Sequence, residues 1–281
     1  IWNQIGQNIA GEVSGDQSGQ SVSLNSDGNT VAIGAHFNSG NGGSSGHVRI
    51  YNWNGASWNQ IGQDIDGEVA GDESGYSVSI NSIGNIVAIG SPLHDGYIGH
   101  VRVYAFSGTS WSQLGLDIDG AASNDVSGES VSISSDGYTV AIGSPGNDGS
   151  SSSNSYNIGL VRVYNWDGNS WNQLGQDIEG EDYYDHSGTA ISLSNDGNTV
   201  AIGARYNDAN GNDAGHVRVY NYNGTTWNQI GQDINGEVAG DQSGRSVSLS
   251  GDGNTMSSGA IYNDENGSNS GHVRVYNMST P

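Results

Sequence analysis

Apolar residues along this chain recur at every second position in short runs. Between Tyr76 and Phe106 the runs "YSVSI", "NIVAIG" and "HVRVYAF" set Val, Ile or Tyr against Ser, Ala, Gly or Arg. Such alternation turns one side of a run inward and the other outward, which predicts half-buried β-strands; no stretch carries the 3.6-residue period of an amphipathic helix. The runs also return. "SVSLNSDGNTVAIGA" at 21–35 comes back as "SVSINSIGNIVAIGS", "SVSISSDGYTVAIGS", "AISLSNDGNTVAIGA" and "SVSLSGDGNTMSSGA". Aligning on "WNQIGQ" and its copies puts Trp2, Trp58, Trp111, Trp171 and Trp227 in one column, at intervals of 56, 53, 60 and 56 residues. Periods of this size announce a repeat architecture.

Each unit holds four strand-like runs, opening with the one that carries the Trp. Four short antiparallel strands are the content of a propeller blade, so the chain is predicted to be all-β, a five-bladed β-propeller forming a single domain over residues 1–281. The Asp-Gly pairs (Asp27-Gly28, Asp136-Gly137, Asp196-Gly197 and Asp252-Gly253) predict a tight hairpin between the first and second strands, with both residues at positive φ. Valines and leucines of the first strand are expected to face one neighbouring blade and its serines the other. The glycines Gly34, Gly90, Gly143, Gly203 and Gly259 are read as points of close backbone approach or a bulge. After Trp227 the next Trp column would fall just past Pro281, so Trp2–Ile9 is expected to complete blade five beside His272–Asn277. That strand would close the ring through a seam without a covalent hairpin. Blade five is the poorest copy, since Met256, Ser257 and Ser258 stand where the other units have Val-Ala-Ile.

"SGYSVSINSIGNIVAIGSP", "GHVRVY" and their copies resemble the FG-GAP repeat, the repeat of the integrin α-subunit propeller, over essentially the whole chain. The resemblance implies the propeller fold. Its Phe-Gly is here Ser-Gly (Gly19, Gly75, Gly128, Gly188, Gly244), and its calcium-binding Asp-x-Asp-x-Asp-Gly loop has shrunk to the short Asp-Gly turn. That turn is too small for the six to eight oxygens calcium takes, so no metal site and no cofactor is expected beyond weak Ca2+ association with an acidic surface.

Thirty Asp and Glu face seven basic residues, all Arg, for a net charge of −23. A surface this negative repels phosphate backbones and anionic lipid, which argues against nucleic-acid partners. There is no cysteine, which excludes disulfides and thiolate chemistry, and no apolar run long enough for a membrane span, so direct membrane insertion is not expected.

Every polar column that could carry chemistry is repeated. Asp-x-Ser-Gly occurs in each unit, at Asp16, Asp72, Asp125, Asp185 and Asp241. It reads as an Asx-type turn leading into the strand, or as a carboxylate from each blade binding a cation or ligand. Arg49, Arg102, Arg162, Arg218 and Arg274 share one position and are expected to bridge to a carboxylate between blades. His47, His100, His216 and His272 form a similar column, broken by Leu160, which favours packing over metal ligation. The Trp column reads as packing, with sugar stacking as the alternative. The densest acidic stretch, "EGEDYYDHSG" with Glu179, Glu181, Asp182, Asp185 and His186, reads as a solvated loop or a cation site. Asn223, Asn266 and Asn277 head glycosylation sequons.

Length varies only between the second and third strands, where the loops hold 12, 9, 16, 12 and 12 residues. Loop diversity on one face of a repeat protein reads as a binding face or as unconstrained surface. A catalytic centre needs unique residues, so the chain is expected not to be an enzyme. The expected function is an extracellular or cell-surface structural or adhesive module, a subunit of a filament, coat or adhesin that self-associates or binds other surface proteins and glycans. The alternative is a multivalent lectin with blade-wise sites.

Overall fold

In a computed structural model, described for residues 1–149 and 157–278, the chain forms five antiparallel sheets around a central channel. In blade two the strands run Ser77–Ile80, Ile86–Ser91, His100–Phe106 and Trp111–Gln113 from channel to rim, with the two-residue strand Ile118–Asp119 also pairing His100–Phe106. Blades one, three and four repeat this order. Blade five has three strands, Ser243–Leu249, Thr255–Ala260 and His272–Asn277. The fourth strand of every complete blade comes from the next repeat in sequence, so Trp58–Gln60, Trp111–Gln113, Trp171–Gln173 and Trp227–Gln229 each belong in space to the blade before.

The alternation does the work predicted of it. All six residues of Ile86–Ser91 are buried because that strand is covered on both faces, whereas the rim strand Trp111–Gln113 buries only its Trp. Adjacent blades share a core: Ala88, Val101 and Val103 of blade two pack with Ile133, Val140 and Ile142 of blade three. The predicted hairpins form, with one difference. Only the glycine takes positive φ (Gly28 69°, Gly137 84°, Gly197 73°), and the aspartate does not. Asp136 and Asp196 instead accept hydrogen bonds from Ser134 and Ser194 and from the N–H groups of Tyr138 and Asn198. That ring of bonds holds the turn with a single left-handed residue.

Successive blades meet through one repeated joint. The Ser21, Ser77 and Ser130 hydroxyls donate to the carbonyls of Gly75, Gly128 and Gly188 on the next blade, each at 2.7 Å. Two residues on, Ser23, Ser79, Ser132 and Ser192 accept the N–H of Ile80, Ile133, Leu193 and Leu249. Beside them Gly34, Gly90, Gly143 and Gly203 lie so close to the next blade that a Cβ would overlap the Gly75, Gly128, Gly188 or Gly244 carbonyl. Serine and glycine are what this spacing admits.

The fifth joint is not made among the described residues. Gly19, the partner Gly259 would need, has nothing within 4 Å of a Cβ position. Val273 and Val275 of blade five are each 68% exposed where Val101 is 0%. Val22 and Leu24, on the facing side of blade one, are exposed as well. The expected closure by Trp2–Ile9 is not seen among the described residues. Those residues form no strand, and what anchors them is blade one: the Gln7 side chain brackets the Trp58 N–H and C=O at 3.1 and 2.7 Å, and the Trp58 indole donates to Ile5 O at 3.1 Å. Four turns of one joint geometry carry blade five round without setting its face against blade one.

Candidate functional site

The five repeated aspartates are buried, 1–3% exposed, each inside its own turn. Asp125 accepts the N–H groups of Ala121 and Ala122, both at 2.9 Å. Asp16, Asp185 and Asp241 also accept the side-chain amides of Asn38, Asn207 and Asn263 from the loop between the second and third strands. The carboxylate thus ties that loop to the turn. Burial opposes the charge on Asp16, yet hydrogen bonds from Val13 N–H and Asn38, with His47 nearby, hold its carboxyl below the usual value. In Asp185 burial prevails over its hydrogen bonds and the value rises. The aspartates are spread one to a blade and do not converge.

The arginines lie between blades. Nη2 of Arg49, Arg102, Arg218 and Arg274 donates to the carbonyls of Ala10, Asp66, Glu179 and Asn235, in segments that precede each arginine's own blade. Their Nη1 atoms lie 3.3–3.6 Å from Glu12, Glu68, Glu181 and Glu237. His47, His216 and His272 approach the same glutamates at 3.7–3.9 Å. Blade three departs: Ala121 replaces the glutamate, Leu160 the histidine, and Arg162 turns to Asp177 of its own blade in a bidentate pair at 2.9 and 2.8 Å. The paired loss of Glu and His in one unit was a signal available in the sequence.

Blade two varies the theme. His94 stands in the Asn38 column, with Nδ1 3.0 Å from Asp72 Oδ1 and its ring stacked on His100 at 4.0 Å. Glu68, His94 and His100 bring potential ligand atoms within 4.8 Å of one another. The two rings are within 22° of parallel, so their in-plane lone pairs run side by side and not towards a common ion. Glu–His–Asp groups at the same place in blades one and four mark this as a feature of the joint. The acidic stretch of blade four does not converge either: Glu181 faces Arg218, Asp185 is enclosed, and His186 packs edge-on to Tyr206. The Trp111 and Trp227 rings are 3% exposed with their indole N–H groups bonded to carbonyls, so neither offers a face to a sugar. Of the sequons, Asn223 and Asn266 are exposed in turn and loop, whereas the Asn277 amide donates to Thr255 Oγ1. The longest variable loop lies partly outside the described residues.

Sequence reasoning missed the channel mouth. The residue after each Ser-Gly differs in all five units (Gln20, Tyr76, Glu129, Thr189, Arg245), and the last four line a channel cavity of about 300 Å3. Burial pushes the Glu129 carboxyl up, partly countered by the Arg205 charge, and pushes the Tyr76 hydroxyl up as well. His36, 4% exposed, sets its ring edge-on to Tyr76, and its buried Nδ1 has no hydrogen-bond partner. One variable column among constant neighbours was the clue.

A family model for the FG-GAP repeat matches residues 235–276. No curated protein sequence matches the chain. Among solved structures the chain is similar to the hydrazine synthase of Kuenenia stuttgartiensis (12% identity, 92% of this chain and 71% of that one, TM-score 0.58). It is also similar to a protein described as TolB from Agrobacterium tumefaciens (10% identity, 92% and 76%, TM-score 0.51). At such identities the likeness shows the β-propeller fold alone.

Proposed function

We propose that this FG-GAP-repeat propeller is a non-enzymatic structural or adhesive module of an extracellular surface. One observation carries the reading: the repeated aspartates, arginines, serines and most of the tryptophans are spent on holding turns and joining blades. What varies from blade to blade is the loops between second and third strands and the channel-mouth column, the parts free to meet a partner. The net charge of −23 suits protein or neutral-glycan partners over nucleic acid. An antibody raised against the folded chain should label intact, unpermeabilised source cells. Labelling that appears only after permeabilisation would sink the reading.

A further inference from the structure

At three places on the rim one glutamine finishes the packing of a tryptophan. The side-chain amides of Gln7, Gln63 and Gln176 donate to the C=O of Trp58, Trp111 and Trp227 at 2.7, 2.7 and 2.8 Å. Their oxygens accept the N–H of the same tryptophans, each at 3.1 Å. A primary carboxamide suits that place. One of its N–H bonds lies on the same side as its C=O, so a single group meets the outward N–H and C=O of one strand residue.

The joint between blades two and three lacks this clamp. Leu116 stands in the glutamine column and turns to solvent, 86% exposed, while the Trp171 indole keeps its bond to the Leu114 carbonyl at 2.7 Å. Trp171 lies opposite Trp166 as Trp58 lies opposite Trp53, so its backbone N–H and C=O face the same outward way. Among the described residues nothing bonds to either. Two further links are missing from this joint. Other arginines of the column donate to a carbonyl of the segment before their blade, whereas Arg162 turns to Asp177. Ala121 stands where Glu68 and Glu181 face Arg102 and Arg218. Where the three links are lost a groove of about 380 Å3 opens, lined by Leu116, Asp117, Ile118, Asp119, Tyr164 and Trp171 among others. Burial and the neighbouring Asp117 charge push the Asp119 carboxyl up, a crowding of carboxylates that a cation would relieve.

We propose that the groove between blades two and three binds a glutamine side chain of a partner polypeptide, one that carries Lys or Arg beside that glutamine. The partner's carboxamide takes the place that Gln63 and Gln176 fill from within the chain, donating to the Trp171 C=O and accepting its N–H. Its methylenes pack against Tyr164 and Leu116, and the basic neighbour meets Asp117 and Asp119. A carboxylate has no proton to give the Trp171 C=O. The acetamido group of a sugar holds its N–H opposite its C=O, so it cannot close both bonds. The groove deepens the adhesive reading by naming a contact chemistry, and it fails separately: binding is measured on the isolated protein, whereas that reading depends on where the protein is found.

The test titrates the full chain with the peptide acetyl-Lys-Gln-Gly N-methylamide, whose one primary amide is that of the glutamine, and follows backbone amides by NMR. The Trp171 resonance should shift saturably. The same peptide with glutamate for glutamine should bind at least ~5-fold more weakly, the equivalent of about one hydrogen bond. Glutamate in place of the lysine should weaken binding too, and less so in high salt. Leu116→Gln supplies the carboxamide from within, at an exposed position. In that variant the Trp171 resonance should move without peptide and peptide binding should be lost. An unmoved Trp171 resonance in the parent, equal affinity for the glutamine and glutamate peptides, or undiminished binding by Leu116→Gln would each overturn the proposal. Affinity indifferent to the lysine would overturn its basic neighbour.

Discussion

His100 and His216 each stand fully buried at the start of a third strand, with neither ring nitrogen hydrogen-bonded. Burial, reinforced by His94 and Arg102 at His100 and by Arg218 at His216, pushes each down to about 4 from the usual 6.5. The proton therefore binds the unfolded chain more tightly than the folded one. Stability is complete above pH 6.5 and is lost as the pH falls towards 4, by about 3 kcal/mol for each histidine. Leu160 occupies the same place in blade three and is buried to the same degree, so an apolar side chain fits there. His216→Leu, with Glu181 and Asp233 left facing it, should unfold like the parent at pH 7.5 and lose about half as much stability between pH 6.5 and 4.5. Denaturant melts across that range measure it, and an unchanged acid slope would show that the histidines are not buried neutral. The burial of this column was legible from Leu160. Its link to the glutamate column had to be seen in space, because Glu12 and His47, or Glu181 and His216, lie 35 residues apart.

At the scale of strands and turns, the joint between blades depends on glycines whose φ is ordinary. Their requirement is space alone. Gly90→Ala would drive a methyl into the Gly128 carbonyl of a packed joint and should cost about 3 kcal/mol. Gly259→Ala occupies the equivalent place in blade five, where only the Ser246 side chain is near, and should cost under about 1 kcal/mol. Equal melting temperatures for the two variants would mean that the fifth joint is packed like the others. The strands themselves were readable because alternation, turn glycines and repeat spacing all agree, a consistency that local chemistry is able to encode. The Asp-Gly turn was readable in place but not in kind, since the Ser134 and Asp136 side chains, not a second left-handed residue, hold it. The channel-mouth column escaped notice because its residues look like ordinary strand starts until the ring gathers them at one opening.

For the whole molecule, closure is the property that the sequence could not convey. It depends on the angle each blade makes with the next, and no residue carries that angle alone. The counting of units expected Trp2–Ile9 as the outer strand of blade five, and in the structure those residues form no strand and pair with no sheet. Val273 and Val275 on one side and Val22 and Leu24 on the other stay exposed where a fifth joint would lie. Hydrogen exchange measures the claim most directly, by comparing the third strand of blade five, His272–Asn277, with its counterpart His216–Tyr222 in blade four. At high dilution the blade-four amides should be protected throughout while the outward amides of blade five exchange freely. Full protection of His272–Asn277 at the highest dilution would contradict the account, since it would mean that each molecule seals its own fifth joint.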